Sequence, residues 1–383
     1  MNFTFTEMQE MIRDTAREIG EDIIKPNRAR WDEEEVYPSE ALEALAQADM
    51  MGIYIPEEFG GMGGGALELS IAVEEISKYC GGVAVCFAAN ALGSYPILLH
   101  GTAAHKEKYM PLLASGKMYA AFGLTEANAG SDAGGVETTA VKDGDHYILN
   151  GTKQWITNAQ EAGVYTVIAV TNKGKGARGL SAFVVDKDTP GFTFGAKEKK
   201  LGIRCSVTRE LHFQDVRVPA SNMLYKENRG FRVAMDTLDK SRPGIGAQAV
   251  GIAHGAMMEA LNFANTRIQF GVKISSFQAV QHMLADMAIG VEAARALVYR
   301  GAYAVDHDDP NASSLAAMAK VFASDTAMKV TTDAVQVCGG TGYMREFPVE
   351  KYMRDAKITQ IYEGANQIQR NIIALDLIRK TAQ

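Results

Sequence analysis

The hydrophobic periodicity of the chain changes twice, and these changes restrict the fold more than any other feature. Apolar residues recur at helical spacing up to about residue 118, short β-rich runs occupy residues 119–230, and helical spacing returns over residues 231–383. Because no helical segment separates the β-rich runs, they predict an antiparallel barrel or sandwich. The sequence therefore predicts an α+β protein with an N-terminal α-helical domain (1–118), a central β domain (119–230) and a C-terminal four-helix bundle (231–383).

Local signals set the predicted element boundaries. Pro26 should end the first helix, and Pro243 fits the first turn of a later one. The Asn150-Gly151 pair predicts a turn that leads into a strand carrying Trp155. A long C-terminal helix should stop at Gly339-Gly340.

Composition excludes several classes of protein. With 383 residues, a net charge of −7 and a pI near 5.6, the chain is unsuited to nucleic acid as its main partner. We find neither a signal peptide nor a run of about 18 apolar residues, so we expect no membrane span and a soluble cytoplasmic protein, or a mitochondrial-matrix one if the chain is a mature eukaryotic protein. Scattered cysteines and histidines without ligand spacing predict no metal site.

One acidic residue stands at a predicted structural break. Glu363 lies in the segment IYEGANQ, residues 361–367, after an apolar approach and before a stripe of helical spacing. A carboxylate has a pKa near 4.3 in water, and a dry pocket raises it towards the range of a general base at neutral pH. From these residues alone, an ordinary solvated glutamate near a helix end is the commoner interpretation.

Five motifs, taken in order, resemble those of the acyl-CoA dehydrogenase family, closest to its short- and medium-chain branch. They are FGLTEANAGSD at 122–132, WITN at 155–158, RIQFG at 267–271, QVCGG at 336–340 and IYEG at 361–364. The resemblance covers nearly the whole chain. It implies that Glu363 is the catalytic base and that FAD is the cofactor.

The resemblance also implies the binding residues. Expected FAD contacts in the central domain are Phe122, Leu124, Thr125, Gly130, Ser131, Trp155, Ile156 and Thr157. Those in the C-terminal domain are Arg267, Phe270, Phe277, Gln278, Gln336, Val337, Cys338, Gly339, Gly340, Ala365, Asn366 and Gln367. Expected acyl-CoA contacts are Ser131, Asp239, Arg242, Tyr362 and Gly364. Ala365 departs from the threonine common at its position, which puts one flavin hydrogen bond in doubt.

The implied reaction is α,β-dehydrogenation of a short or medium, straight, branched or cyclic acyl-CoA to the 2-enoyl-CoA. An electron-transfer flavoprotein would take the electrons, and a homotetramer built as a dimer of dimers is expected. Two alternatives stay open: the same scaffold working mainly as an enoyl-CoA reductase, and a non-catalytic assembly or electron-carrier module. A dicarboxylic substrate is disfavoured, because residues 79–99 contain no Lys or Arg.

Overall fold

The structure, a computed structural model, describes residues 4–382. Its N-terminal region is helical, with α1 Glu7–Ile19, α2 Lys25–Glu33, α3 Ser39–Gln47, α4 Ala66–Ser77, α5 Gly81–His100 and α6 Ala103–Ala114. Thr6 begins α1 as a capping box, since its hydroxyl accepts from the Gln9 N–H and the Gln9 side chain accepts from the Thr6 N–H. These helices confirm the predicted N-terminal helical region.

The prediction that Pro26 ends the first helix is wrong. A π-helical turn, Gly20–Ile24, follows α1 and leads directly into α2, where Pro26 occupies the first turn. A proline is tolerated there because its fixed φ suits the start of a helix.

Helix α5 is the central element of the N-terminal region. It is long and apolar enough to cross a membrane by length and composition, but 78% of its most apolar window is buried inside the protein. It packs against β1, Ala120–Gly123, and against the C-terminal helices. The sequence prediction that no such apolar run exists is therefore wrong, and the burial of this run is that of a helix in the protein core.

The middle of the chain forms one eight-stranded sheet in the order β6-β7-β3-β2-β4-β5-β8, with β1 paired to β4. The remaining strands are β2 Thr139–Asp143, β3 His146–Thr157, β4 Val164–Val170, β5 Leu180–Asp186, β6 Phe192–Phe194, β7 Thr208–Pro219 and β8 Met223–Leu224. The central sheet region is confirmed, although the sheet is mixed, because β1 runs parallel to β4. About forty residues of intervening chain permit that parallel pairing.

The predicted Asn150-Gly151 turn is wrong. Both residues lie inside β3, which pairs with β7 on either side of a register shift at this point. Gly151 has φ +144°, and a Cβ there would lie 2.7 Å from the Cα of Thr138. The pair therefore marks a β-bulge, where a glycine allows the close approach of another backbone.

The C-terminal region is again helical, as predicted. It contains α7 Gly230–Thr266, α8 Gln278–Asp306, α9 Ala312–Gly342, α10 Val349–Thr359 and α11 Asn366–Thr381, with the short strands β9 Ile268–Gln269 and β10 Val272–Lys273 between α7 and α8. Regular geometry in α9 is interrupted at Gly339, which has φ +56° and ψ −138°. The predicted stop at this glycine is thus confirmed as a break within the helical segment.

Pro243 does not start a helix, contrary to the sequence prediction. Helix α7 begins thirteen residues earlier and continues through the proline. Because proline has no N–H, the carbonyl of Asp239 loses its helical partner. The segment with this missing bond carries Ser241 and Arg242, two residues that contact the site described below.

Candidate active site

A cavity of about 510 Å³ lies between α5, α7, the sheet and the loop before α11. This volume is typical of a small-molecule site. Residues from three of the predicted motifs, 122–132, 155–158 and 361–364, line this cavity. The complete lining consists of Val85, Ala88, Ala89, Leu92, Phe122, Leu124, Thr125, Gly130, Ser131, Asp132, Ala133, Gly134, Trp155, Ile156, Thr157, Ala177, Phe231, Met235, Leu238, Arg242, Ile245, Tyr362, Glu363, Gly364, Ile368 and Ile372. A second cavity, of about 460 Å³, lies beside the start of α4 and is lined by none of the predicted site residues.

The loop that carries Glu363 has an unusual backbone. Glu363 has φ +51° and Gly364 has φ +90°, both in the left-handed region. The positive φ favours glycine at position 364, and a Cβ there would also lie 2.3 Å from Nε2 of Gln369. The same Gln369 nitrogen donates to the carbonyls of Glu363, at 3.0 Å, and Gly364, at 3.1 Å. The loop is thus fixed from inside the protein.

The Glu363 side chain is half-buried at the wall of the cavity and has few compensating groups. Its Oε2 accepts a hydrogen bond of 2.5 Å from the Ser241 hydroxyl. Burial raises the pKa of Glu363 to about 7, while that hydrogen bond and the charges of Arg242 and Lys320 act in the opposite direction. A carboxylate with such a pKa can take a proton at neutral pH.

Arg242 is the only Lys or Arg among the residues that line this cavity. Its guanidinium pairs with Asp239, whose carboxylate also accepts from Ser313 at 3.1 Å. Nε of Arg242 is buried and finds no partner within residues 4–382. Asp239 itself does not line the cavity, so its predicted contact with the substrate stays a prediction.

The opposite wall offers groups suited to a flavin. The hydroxyls of Thr125, Ser131 and Thr157 line the cavity, and none of them bonds to another residue in the described part of the chain. Trp155 has a φ of +58° and remains 57% exposed at the cavity. Free hydroxyls beside an uncovered aromatic ring fit a planar, polar-edged cofactor such as FAD.

A buried ion pair supports this wall. Lys153 is fully buried on β3 and its Nζ lies 2.6 Å from Oε1 of Glu126. The same nitrogen donates to the carbonyl of Leu124 at 3.1 Å, and Glu126 accepts the N–H groups of Glu137 and Thr138. The loop that carries the predicted flavin residues is therefore anchored to the sheet.

A second set of predicted cofactor residues does not line the cavity. Phe270 is 94% exposed at the β9–β10 turn, while Val337 and Cys338 are buried. Asn366 is buried and bonds to Lys320, Ser324 and Asp325. The set comprises Arg267, Phe270, Phe277, Gln278, Gln336, Val337, Cys338, Gly339, Gly340, Ala365, Asn366 and Gln367.

The acyl side of the cavity is formed by one face of α5 and one face of α7. Four residues of α5 line it, namely Val85, Ala88, Ala89 and Leu92. Gly81 packs against Ile252 instead. Helical spacing alone explains this, since 85, 88, 89 and 92 share one face.

Sequence reasoning missed the residues that hold the Glu363 loop, namely Gln369 and Lys320. One signal could have found Lys320: it stands within an apolar stripe of α9 that includes Ala316, Ala323 and Ala327, all buried. A charged residue in a buried stripe needs a partner. Among residues 4–382, no group of three or more His, Cys, Asp and Glu side chains could hold a metal ion.

Comparisons with known proteins identify the family of this chain. The N-terminal, middle and C-terminal domain models of the acyl-CoA dehydrogenase family match residues 6–117, 121–216 and 228–378. A probable acyl-CoA dehydrogenase of Mycobacterium tuberculosis is 48% identical, covering 98% of this chain and 97% of its own. A short-chain-specific acyl-CoA dehydrogenase of Clostridium acetobutylicum is 47% identical over 99% and 100%. The acryloyl-CoA reductase (NADH) of Anaerotignum propionicum is 45% identical over 99% and 97%.

Solved structures show the same fold. Butyryl-CoA dehydrogenase from Megasphaera elsdenii matches with a TM-score of 0.97 and 46% identity over 99% of this chain and 100% of its own. A chain from work on the electron transferring flavoprotein of Acidaminococcus fermentans matches with a TM-score of 0.97 and 49% identity over 99% and 100%. An acyl-CoA dehydrogenase from Bacillus anthracis, complexed with FAD, matches with a TM-score of 0.93 and 34% identity over 99% and 68%. The chain therefore belongs to the acyl-CoA dehydrogenase family and is an FAD-dependent enzyme of that family.

Proposed function

We propose that this enzyme oxidises the Cα–Cβ bond of a short-chain acyl-CoA to give the 2-enoyl-CoA, with Glu363 as the base. One observation carries the proposal: Glu363 lies in the same cavity as the predicted flavin residues Thr125, Trp155 and Thr157, and burial raises its pKa to about 7. A base and an electron acceptor on two walls of one cavity are what removal of two hydrogens from neighbouring carbons requires.

In the proposed reaction, the Glu363 carboxylate removes the α-proton and becomes a carboxylic acid. FAD, when bound, would supply an acceptor for the β-hydrogen, which leaves as a hydride. Thr125, Ser131, Trp155 and Thr157 would hold FAD, because their free hydroxyls and exposed indole face the cavity. The apolar side chains of α5 and α7 exclude water, which keeps the carboxylate basic enough to act.

The α-proton becomes removable only when the charge that develops on the thioester oxygen is stabilised. The backbone N–H of Glu363 has no acceptor among the described residues, while the carbonyls of Glu363 and Gly364 are held by Gln369. We propose that this free N–H donates to the thioester carbonyl oxygen. A fixed donor in a dry site stabilises such a charge more than water does.

The preference for an acyl-chain length is proposed from the side chains that line the cavity. The cavity must hold the flavin ring and the thioester together, and Leu92, Phe231 and Leu238 are among the side chains that close it. Two similar proteins bear names that specify short-chain and butyryl substrates. These observations support a short acyl group, and the cavity lacks a lysine for a distal carboxylate.

The test is anaerobic reduction of the flavin by butyryl-CoA in the Glu363→Gln variant. The reduction is monitored as the loss of the yellow flavin absorbance, called bleaching below. We expect the variant to keep FAD and to lose bleaching by at least a thousandfold, because the amide cannot accept the proton. Bleaching at a rate near that of the wild type would overturn the role of Glu363. A panel of straight, branched and cyclic acyl-CoAs with the wild-type enzyme then ranks the substrates.

We further propose that an electron-transfer flavoprotein reoxidises the enzyme. The match to a chain from the Acidaminococcus fermentans work supports this partner. The check is butyryl-CoA-dependent reduction of purified electron-transfer flavoprotein by catalytic amounts of the enzyme. Equal reduction without the enzyme would contradict it.

A homotetramer is proposed from the residues outside the cavity. Arg267, Phe270 and the 336–340 segment were predicted to contact FAD, yet Arg267, Phe270 and Gln336 are exposed on this chain. A second copy that brings its own flavin to them would explain why they lie apart. Light scattering should give four chains per particle for the wild type. A monomer with full FAD content would refute this arrangement.

The second candidate function is reduction of a 2-enoyl-CoA, supported by the 45% identity to the acryloyl-CoA reductase. The same base and cofactor serve both directions, so the site does not separate them. The two are separated by comparing the rate of acyl-CoA oxidation with oxidised electron-transfer flavoprotein as acceptor and the rate of enoyl-CoA reduction with reduced electron-transfer flavoprotein as donor.

A further inference from the structure

Among residues 4–382, three lysines are buried, and one of them lacks a carboxylate partner. Lys153 lies 2.6 Å from Glu126, and Lys351 lies 2.5 Å from Asp355. Lys320 is fully buried on α9 and has no carboxylate oxygen within 4.0 Å in the part of the chain that the structure describes. An unpaired buried cation is costly, so its retention needs a reason.

The contacts of Lys320 lead to the loop that carries Glu363. Its Nζ donates to the carbonyl of Gly364 at 2.9 Å and to Oδ1 of Asn366 at 2.9 Å. Gly364 follows Glu363 directly, and Asn366 is the first residue of α11. Together with Gln369, which donates to the carbonyls of Glu363 and Gly364, Lys320 fixes both ends of the left-handed turn.

The other charged and titratable groups around the loop are accounted for. From α7, Arg242 is paired with Asp239, and Ser241 donates to Glu363. From α9, Asp325 is engaged by Arg370, Gln360 and Asn366. The hydroxyl of Tyr362 donates to Gln248. From α5, Tyr95 is buried near Glu363, and its hydroxyl is neutral.

Of the carboxylates that act on the charge of Lys320, Glu363 has the larger influence and Asp325 the smaller. Burial lowers the pKa of Lys320 to about 8, and the Glu363 charge acts against that shift. In return, Lys320 is one of the cations that lower the pKa of Glu363.

We propose that Lys320 is a positioning residue for the reaction: it holds the Glu363 loop by the Gly364 carbonyl and balances the charge of the Glu363 carboxylate. The inference rests on the proposed role of Glu363 as the base. The consequence is a pH-dependent one. Without the cation, Glu363 holds its proton to higher pH, and the fraction of ionised base falls.

The experiment compares Lys320→Met with the wild type by single-turnover flavin bleaching with butyryl-CoA from pH 5.5 to 9. We expect the acid limb of the rate to move to higher pH by up to about one pH unit, since an opposite charge beyond ion-pair distance shifts a carboxyl pKa by less than the one to three units of a close pair. The ratio of wild-type to variant rates should be largest near pH 6 and should fall towards pH 9. FAD absorbance and melting temperature are measured on the same samples, and they report folding independently of activity.

Two further variants provide controls. Lys329→Met removes an exposed lysine from the same helix, one whose partner is Asp333, and should leave the pH profile unchanged. Lys320→Arg keeps the charge and should lie closer to the wild-type limb than Lys320→Met does. If Lys320→Met does not fold with FAD, Lys320→Gln, which retains a donor, takes its place with the same expected shift.

The outcomes separate this inference from the proposed function. A variant of Lys320 that binds FAD and slows equally at every pH has lost only a structural contact, and this result would overturn the inference. If Glu363→Gln loses bleaching while Lys320→Met keeps the wild-type limb, only the inference about Lys320 fails. Retained bleaching in Glu363→Gln removes the base itself and with it both proposals.

Discussion

Two loops form the opposite walls of the cavity, and a buried lysine holds each of them in a different way. The flavin loop, residues 122–132, is held by Lys153, which donates to the Leu124 carbonyl and is paired with Glu126. The base loop, residues 361–367, is held by Lys320, which donates to the Gly364 carbonyl and has no carboxylate within 4.0 Å in the described chain. The backbone contact is the same, but only the lysine of the flavin loop has a carboxylate within ion-pair distance.

This difference separates a structural lysine from one coupled to chemistry. The charge of Lys153 is neutralised by Glu126, so the gain or loss of a proton at Glu363 does not affect this ion pair. Lys320 instead acts on the carboxylate that is proposed to gain and lose a proton in each turnover. Variants in the flavin loop should therefore change stability and FAD content, and variants around the base loop should change the dependence of the rate on pH.

The largest expected effect is in the flavin loop. Lys153→Met leaves the Glu126 carboxylate buried without its cation, which costs about 3–5 kcal/mol for such pairs. Thermal unfolding and FAD content measured together should both fall. Lys142→Met, an exposed lysine on β2, is the matched control and should match the wild type in both. An unchanged melting temperature for Lys153→Met would contradict the anchoring role of the pair.

The next effect is the contribution of Glu363 to the stability of the folded protein. Burial raises the pKa of Glu363 to about 7 from a model-compound value of 4.5, so the folded state binds this proton more tightly than the unfolded state. Its contribution to stability is complete below pH 4.5 and is lost as the pH rises through 7. Glu363→Gln should therefore match the wild type at pH 4 and exceed it at pH 8 by about 3 kcal/mol or less.

Urea unfolding at the two pH values measures this difference. A gain that is equal at pH 4 and pH 8 would show that Glu363 is not the titrating group.

A smaller effect should follow from loss of the Ser241 hydroxyl. That hydroxyl donates to Glu363 at 2.5 Å and favours the ionised form. Ser241→Ala should raise the acid limb of flavin bleaching by about one pH unit, because a hydrogen bond to a charged group contributes about 1.5–3 kcal/mol. Ser313→Ala, whose hydroxyl donates to Asp239, is the control and should shift the limb less.

The smallest effect should be found for Tyr362→Phe. The hydroxyl of Tyr362 donates to Gln248, which in turn donates to the carbonyl of Gly81 at the start of α5. Losing one such bond costs about 1 kcal/mol. The melting temperature should fall by a few degrees with little change in the pH profile. A shifted acid limb would instead place Tyr362 in the charge balance of Glu363.

The sequence predicted the parts of the fold that depend on local patterns. Helical and β-rich segments follow from periodicity, and the N-terminal helical, central sheet and C-terminal helical regions are confirmed. The wrong predictions concern residues that occur in two kinds of local structure. Pro26 and Pro243 are predicted boundaries but lie inside continuous helical segments, and the Asn150-Gly151 pair forms a bulge where the sequence predicts a turn.

The site divides in the same manner. Glu363 and the flavin-loop residues were found from contiguous motifs, whereas Lys320, Gln369 and the Ser241 hydrogen bond join segments distant along the chain. No local sequence pattern predicts that Lys320 donates to the carbonyl of Gly364, 44 residues later in the chain. The roles of the individual site residues and the domain limits 1–118, 119–230 and 231–383 stay predictions.

The most direct test of Glu363 as a desolvated base is the pH dependence of the second-order rate constant for flavin reduction by butyryl-CoA in the wild-type enzyme, which reports the pKa of free-enzyme groups. The account predicts that this rate constant rises with pH and reaches half its maximum near pH 7. A rate constant that is already maximal at pH 5, where an ordinary solvated glutamate is ionised, would contradict it.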